Sequence, residues 1–255
     1  MDVVPKTRAV FDKLLSVSSQ RGSAFLALVD PDAISPDEVA DFAAACSEGG
    51  VDAFLVGGSI TLSGNLDEIV RSIKRSSTLP VILFPGNASQ ISEHADAILF
   101  LSLLSSRNAD FLIGEHVKAA PLLHRLSLEV VPTAYILIES GTLTSVQFIT
   151  QSLPIPRDKT DLAVAHALAG KYLGMELVYL EAGSGAALPV PTEMIEAVSS
   201  ATSLPVAVGG GVRSPDQARS IAKCGAQFVV VGNALERNGG GSFIEELSSA
   251  IHHIA

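Results

Sequence analysis

Short apolar runs alternate with amphipathic stretches along the whole chain. Ala24–Val29, Asp52–Val56, Pro80–Phe84, Asp96–Phe100, Glu129–Ile138, Glu176–Leu180, Leu204–Val208 and Gln227–Val231 are each apolar for most of their length. A run with no polar alternation has both faces covered, which is the habit of strands in a parallel sheet. Between these runs the apolar positions recur at helical spacing. A leading helix is predicted over Val3–Ser19, with Val3, Val10, Phe11, Leu14 and Leu15 on one side, and further helices over Asn65–Ser76, Asn108–Leu126 and Asp158–Leu173. A last helix from about Ser242 carries Phe243, Ile244, Leu247 and Ile251 on one face. Two helix starts are marked by capping sequences, Ser35-Pro36-Asp37-Glu38 and Ser214-Pro215-Asp216-Gln217. In each, a Ser cap precedes a Pro at the first helical position, and an acid or amide follows three residues after the cap.

Eight such strands with intervening helices predict one domain spanning residues 1–255, an α/β TIM (β/α)8 barrel. Only about eleven residues separate the third and fourth strands, too few for a comfortable crossover helix, so an irregular segment is expected in place of the third helix. A polar excursion, Glu139–Arg157, follows the fifth strand. The Gly-x-Gly-x-x-Gly turn of a doubly wound dinucleotide fold is missing after the first strand.

Composition narrows the function. With 47% hydrophobic and 17% charged residues, the chain has ample material for a large core. A net charge of −10 argues against a nucleic-acid partner, which needs clustered Lys and Arg. The longest apolar windows, Ala97–Leu104 and Val130–Ile138, fall well short of the roughly 20 residues of a transmembrane helix. The N-terminus lacks the charged-then-apolar pattern of a signal peptide, so a cytoplasmic location is expected. Cys46 and Cys224 are read as small packing residues, and His94, His116, His124 and His166 as surface or packing groups without metal-ligand spacing.

The polar and glycine residues collect where strands end, the face on which barrels keep their sites. The seventh strand runs into Gly209-Gly210-Gly211 and the eighth into Gly232-Asn233, the two places where barrels commonly bind phosphate through backbone amides. Ser184 and Gly185, after the sixth strand, can complete that cradle. Glu181 ends the sixth strand beside it, while Asp30 and Asp32 follow the first strand across the mouth. Such carboxylates can accept a proton or bind Mg²⁺, which favours hard oxygen ligands and substrate phosphates. Asp32, two residues on and next to Pro31, fits a turn-shaping role, and Ser59 offers a weaker second metal ligand.

Six stretches in order, Leu28-Val29-Asp30-Pro31-Asp32, Gly57-Gly58-Ser59, Phe84-Pro85-Gly86-Asn87, Tyr179-Leu180-Glu181-Ala182-Gly183-Ser184-Gly185-Ala186, Gly209-Gly210-Gly211-Val212-Arg213 and Val231-Gly232-Asn233, together resemble the geranylgeranylglyceryl phosphate synthase family, particularly its second, mainly archaeal group. The resemblance covers nearly all of the chain from Phe25 to Asn233. It implies a Mg²⁺-dependent prenyltransferase of archaeal ether-lipid biosynthesis. Its partners would be geranylgeranyl diphosphate and sn-glycerol 1-phosphate, joined at the C3 hydroxyl, in a homo-oligomer, dimer or hexamer. It also implies a barrel whose third helix is irregular. By the same resemblance, Asp30 and Ser59 fall on the metal positions and Glu181 on the catalytic acid. Tyr179, Leu180, Glu181, Ala182, Gly183, Ser184, Gly185, Gly210, Gly211, Gly232 and Asn233 fall on the glycerol-phosphate site. Phe84, Ile98–Leu104 and Tyr135 are candidates to line a groove for the prenyl tail. Leu28 and Ala33 stand where relatives carry Lys, so any cation that helps with phosphate must come from elsewhere. The competing readings are another phosphate-binding barrel enzyme of the sugar-phosphate isomerase type, or a phosphate-binding scaffold without catalysis. An aldolase-like enzyme would want a Lys at a strand end, and none of the eight carries one.

Overall fold

Eight parallel strands close on themselves in chain order in the computed structural model, which describes residues 8–238 and 240–253. They are β1 (Ala24–Val29), β2 (Ala53–Val56), β3 (Val81–Leu83), β4 (Ala97–Leu103), β5 (Glu129–Leu137), β6 (Leu177–Glu181), β7 (Val206–Gly209) and β8 (Phe228–Val231). The barrel closes where β1 pairs with β8, Ala24 opposite Phe228 and Ala27 opposite Val231. Alternation along β1 shows why the run reads as uniformly apolar. Phe25, Ala27 and Val29 pack against the helices outside, whereas Ala24, Leu26 and Leu28 join the interior with Leu55, Ile82, Leu99, Val131, Leu177 and Phe228. Burial on both faces removes any polar position until the strand ends.

The helices are α1 (Ala9–Arg21), α2 (Pro36–Glu48), α3 (Leu66–Ser76), α4 (Glu115–Arg125), α5 (Ser145–Thr150), α6 (Thr160–Tyr172), α7 (Thr192–Thr202), α8 (Pro215–Lys223), α9 (Asn233–Asn238) and α10 (Gly241–Ile251). The first residues of the predicted leading helix, 3–7, lie outside the described residues. Both capping sequences form: Ser35 and Glu38 make a reciprocal capping box at α2, and the Ser214 side chain accepts from the Gln217 amide at α8. None of the described helices is long and apolar enough to cross a membrane.

Between β3 and β4 no helix forms. Residues 84–96 are irregular, and the backbone of Gly86 presses so closely on the β2–α3 loop that a methyl group there would stand 2.4 Å from the Gly58 carbonyl. Two further departures from the sequence reading occur. The helical stretch after β4 begins as a π-helical turn, Asp110–Gly114, before α4 starts. The polar excursion after β5 contains α5, whose six residues are too few to declare a helical period.

The base of the barrel is closed by α1, whose Phe11 and Leu14 enter the interior core. Its first turn is held by a single buried acid: Glu129 accepts from the Val10 amide at 2.8 Å and from the Phe11 amide at 2.9 Å. A carboxylate at a helix start satisfies donors that the helix itself cannot and matches the dipole. Glu129→Ala is therefore expected to cost about 2 kcal/mol of stability. Urea unfolding checks this, and a midpoint equal to that of the parent protein would contradict the role of Glu129.

Candidate functional site

A cleft opens at the C-terminal ends of the strands. Asp30, Gly58, Ser59, Glu181, Ser184, Gly185, Gly210, Gly211, Gly232 and Asn233 all line it, with Leu28 among its apolar walls. Tyr179, Leu180, Ala182 and Gly183, which complete the predicted set, lie beneath or behind these residues as part of β6 and its turn. Tyr179, Leu180 and Ala182 are fully buried.

Glu181 is the last residue of β6 and is 4% exposed. Its Oε1 accepts from the Gly183 amide at 2.5 Å, so the turn that follows the strand grips the carboxylate that ends it. That turn needs glycine: Gly183 has φ +99°, and the Thr144 side chain occupies the space a Cβ would take. Gly210 opposite is constrained in the same way, with φ +82° and a position where a methyl would stand 2.5 Å from Oε1 of Glu181.

Burial pushes the Glu181 carboxyl up from its usual 4.5 to about 7. The Gly183 amide opposes this, and so do the nearby hydroxyls of Tyr179 and Tyr135. The Tyr179 hydroxyl makes no hydrogen bond of good geometry among the described residues, although it lies beside the carboxylate over Gly209. Both tyrosine hydroxyls are held well above their ordinary range, first by burial and then by the Glu181 charge, so they stay protonated. Phe84 stacks on Tyr179 with centroids 5.1 Å apart and meets Tyr135 edge-on at 5.9 Å, which gives the acid an aromatic floor.

On the far wall, burial raises the half-buried Asp30 carboxyl above its usual value, against the pull of a 2.9 Å hydrogen bond from the Asp32 amide. Asp32 turns away from the cleft. It accepts from Leu62 and Ser63 amides at 2.7 and 2.8 Å and so ties the β1 loop to the β2 loop, the turn-shaping role its sequence context suggested. Gly58 adjoins the Asp30 carboxylate, and a methyl there would touch all three carboxyl atoms at 3.7 Å. No cluster of three or more His, Cys, Asp or Glu suited to a metal ion exists among the described residues.

The glycine-rich side of the cleft is built by three turns, those after β6, β7 and β8. The Asn233 side chain accepts from the Ser184 hydroxyl at 3.1 Å and from the Gly185 amide at 3.3 Å, which joins the turn after β6 to the start of α9. Beside the cleft lies a second, apolar cavity of about 760 Å³ including its solvent-open part, walled by Ile98, Phe100, Leu103, Phe111, Ala119 and Val146. Gly58, Ser59, Phe84, Tyr135 and Val146 line both spaces, so the two adjoin along these residues. The cavity occupies the flank that lacks a third helix.

The PcrB family model matches residues 16–251. The chain belongs to this family. Relatives named geranylgeranylglyceryl phosphate synthase include one from Chitinophaga pinensis, 42% identical over 96% of this chain and 97% of its own. Another, from Pyrococcus horikoshii, is 47% identical over 89% of each chain. Among solved structures, (S)-3-O-geranylgeranylglyceryl phosphate synthase from Thermoplasma acidophilum in complex with its substrate sn-glycerol-1-phosphate superimposes with a TM-score of 0.90 at 35% identity, over 96% of this chain and 98% of its own. The tryptophan synthase alpha chain of Legionella pneumophila, at TM-score 0.60 and 15% identity over 98% of this chain and 99% of its own, shares the barrel fold alone.

Sequence reasoning left several cleft and cavity residues without a role. Arg213 stood in a quoted motif, yet its place on the cleft wall depends on how Gly210 and Gly211 turn the chain. Ser145 and Val146 reach the mouth only because α5 folds back over it. His116 and Phe111 join the apolar cavity from the far side of β4. His116 packs edge-on against Phe100 at 4.3 Å, and burial lowers its pKa.

The raised Glu181 value has a consequence for stability. Between about pH 4.5 and 7 the folded chain keeps a proton that the unfolded chain has lost, so stability falls as pH rises through that window and stays lower above it. Glu181→Gln should therefore raise the melting temperature at pH 8, by a gain on the order of a few kcal/mol that fades toward pH 4.5. Paired thermal melts at the two pH values test this; an equal difference at both would contradict the burial of an ionisable acid.

Proposed function

We propose that the cleft transfers a geranylgeranyl group from geranylgeranyl diphosphate to the C3 hydroxyl of sn-glycerol 1-phosphate. The observation that carries this reading is the position of Glu181, one buried acid poised near neutrality in a glycine-lined polar cleft that shares Ser59, Phe84 and Tyr135 with an adjoining apolar cavity. The two substrates have the matching halves, a small phosphorylated alcohol and a long apolar chain on a charged head. The relatives' names point to the same reaction.

In this reading the turns after β6, β7 and β8 hold the phosphate of glycerol 1-phosphate through backbone amides, which glycine leaves exposed to close approach. The hydroxyl end then faces Glu181. The carboxylate takes the C3 hydroxyl proton as the ether C–O bond forms, and the allylic C–O bond breaks with its electron pair leaving on diphosphate. A base whose pKa lies near the working pH is suited to that task. The aromatic floor of Phe84, Tyr135 and Tyr179 keeps water from the allylic carbon, and the apolar cavity takes the tail.

Asp30 and Ser59 fit a magnesium ion in the way such sites are commonly made, with one carboxylate and few other protein ligands, the rest supplied by substrate phosphate and water. Asp30 has no cation within ion-pair distance among the described residues, and burial disfavours its charged form, so a bound cation would relieve it. When bound there, the ion would neutralise diphosphate and favour its departure.

Mass spectrometry of the product after incubation with glycerol 1-phosphate and a mixture of prenyl diphosphates tests the reaction, with the C20 ether as the expected main product. Glu181→Gln should lose about 10²–10⁴-fold in kcat, and near-normal transfer would remove Glu181 from the mechanism. Asp30→Asn should raise the magnesium concentration needed for half-maximal rate; an unchanged requirement would contradict its assignment. The rate of the parent protein should climb as pH rises through about 7, where Glu181 ionises, and a flat profile from about pH 6 to 8 would argue against a base of that pKa.

A further inference from the structure

Three carboxylates line the cleft, Asp30, Glu181 and Glu236, in a chain whose net charge is −10. A phosphate dianion entering this space meets an adverse field unless something local offsets it. Among the lining residues there is one cationic side chain, Arg213, two residues beyond Gly211. Leu28, which packs directly beside Gly232 at the β1–β8 seam, supplies no charge.

Arg213 is held in place from two sides. Its backbone amide donates to the Gln217 side chain at 2.8 Å, which anchors the residue at the start of α8. Its guanidinium donates through Nη2 to the Ala186 carbonyl at 2.7 Å. Ala186 directly follows Gly183-Ser184-Gly185, the turn that lines the cleft through Ser184 and Gly185. The remainder of that loop is fixed as well: the Leu188 amide donates to the Ser140 carbonyl at 3.2 Å, and Arg157 donates to the Pro189 carbonyl at 2.7 Å. Gly211 lies so close beneath it that a methyl would stand 2.8 Å from the Leu188 and Pro189 backbone. One guanidinium therefore ties the β6 turn to the β7 turn at the level of the cradle, and it has five donors of which this bond uses one.

Resting on the reading of the cleft as a glycerol-phosphate site, we infer that Arg213 is a positioning residue for the substrate phosphate: it locks the Gly183–Gly185 turn through Ala186 and supplies the positive charge that the cleft wall otherwise lacks. The planar guanidinium suits both duties, since one edge can hold a carbonyl while the remaining N–H groups face an oxyanion.

The test is calorimetric titration of glycerol 1-phosphate and, separately, inorganic phosphate into the parent protein, R213Q and R213K, with a thermal melt of each. R213Q can still donate to a carbonyl but carries no charge, and it is expected to bind both anions at least about tenfold more weakly, the usual effect of losing a charge-assisted contact. R213K keeps the charge without the fork and should fall between. In turnover, R213Q should raise KM for glycerol 1-phosphate, leaving KM for the prenyl diphosphate and kcat within about twofold. Binding by R213Q within twofold of the parent, or equal losses in R213Q and R213K, would overturn the inference while leaving the cradle intact. Failure of the parent protein itself to bind glycerol 1-phosphate would instead overturn the reading of the cleft, and the inference with it. If R213Q melts well below the parent, the comparison of R213K with the parent decides: binding by R213K as tight as the parent's would then overturn the guanidinium role.

Discussion

One carboxylate kept almost wholly out of water at the end of β6 sets the terms for everything around it. An acid in that position is costly to ionise, and the surroundings neither pair it with a cation nor leave it without a partner. The single close amide from Gly183 holds its direction, and that amide is available because the chain reverses at once in a left-handed turn. The neighbouring strand must then present no side chain, which is why β7 gives way to glycine beside the acid. The small-residue turns are thus a condition of the buried acid as well as the lining of the cleft.

Buried acids serve two different purposes in this barrel. At the base, Glu129 and Asp52 are also hidden, but each is saturated by donors: Glu129 by two amides of α1, Asp52 by the Phe25 amide, Arg21 and His252. These two act as fasteners for the leading and final helices. Glu181, with one amide bond, retains capacity for another proton donor. Barrels in general keep stability at one end and chemistry at the other, and here the number of bonds on each acid expresses that division.

Much of this was legible in the sequence because the strands are buried on both faces. Uniform runs such as Ala24–Val29 mark strand and exit alike, so Asp30, Glu181 and the glycines of β7 and β8 could be placed on one rim before any geometry was known. The Ser-Pro-Asp openings of α2 and α8 formed as read, and the short spacing between the third and fourth strands foretold the missing helix. Less accessible were features that depend on the path of irregular chain. The helix α5 hides in Glu139–Arg157 because Val146 points inward while Phe148 points out, so no apolar stripe forms over so few residues. The tie between Arg213 and Ala186 spans 27 positions and is made to a carbonyl, which carries no residue-specific signal.

The missing third helix bears on how the barrel moves. Its β3–β4 ladder holds only two residue pairs, Ile82 with Ala97 and Leu83 with Ile98, whereas β4 and β5 share seven. The β7–β8 seam is equally short but is backed by α7 on β7 and α8 on β8. With few rungs and no helix connecting its two strands, the β3–β4 seam is where fluctuations that part neighbouring strands cost least. That seam runs alongside the apolar cavity, so the softest line of the barrel coincides with the flank where a long, flexible chain would have to be threaded in and drawn out.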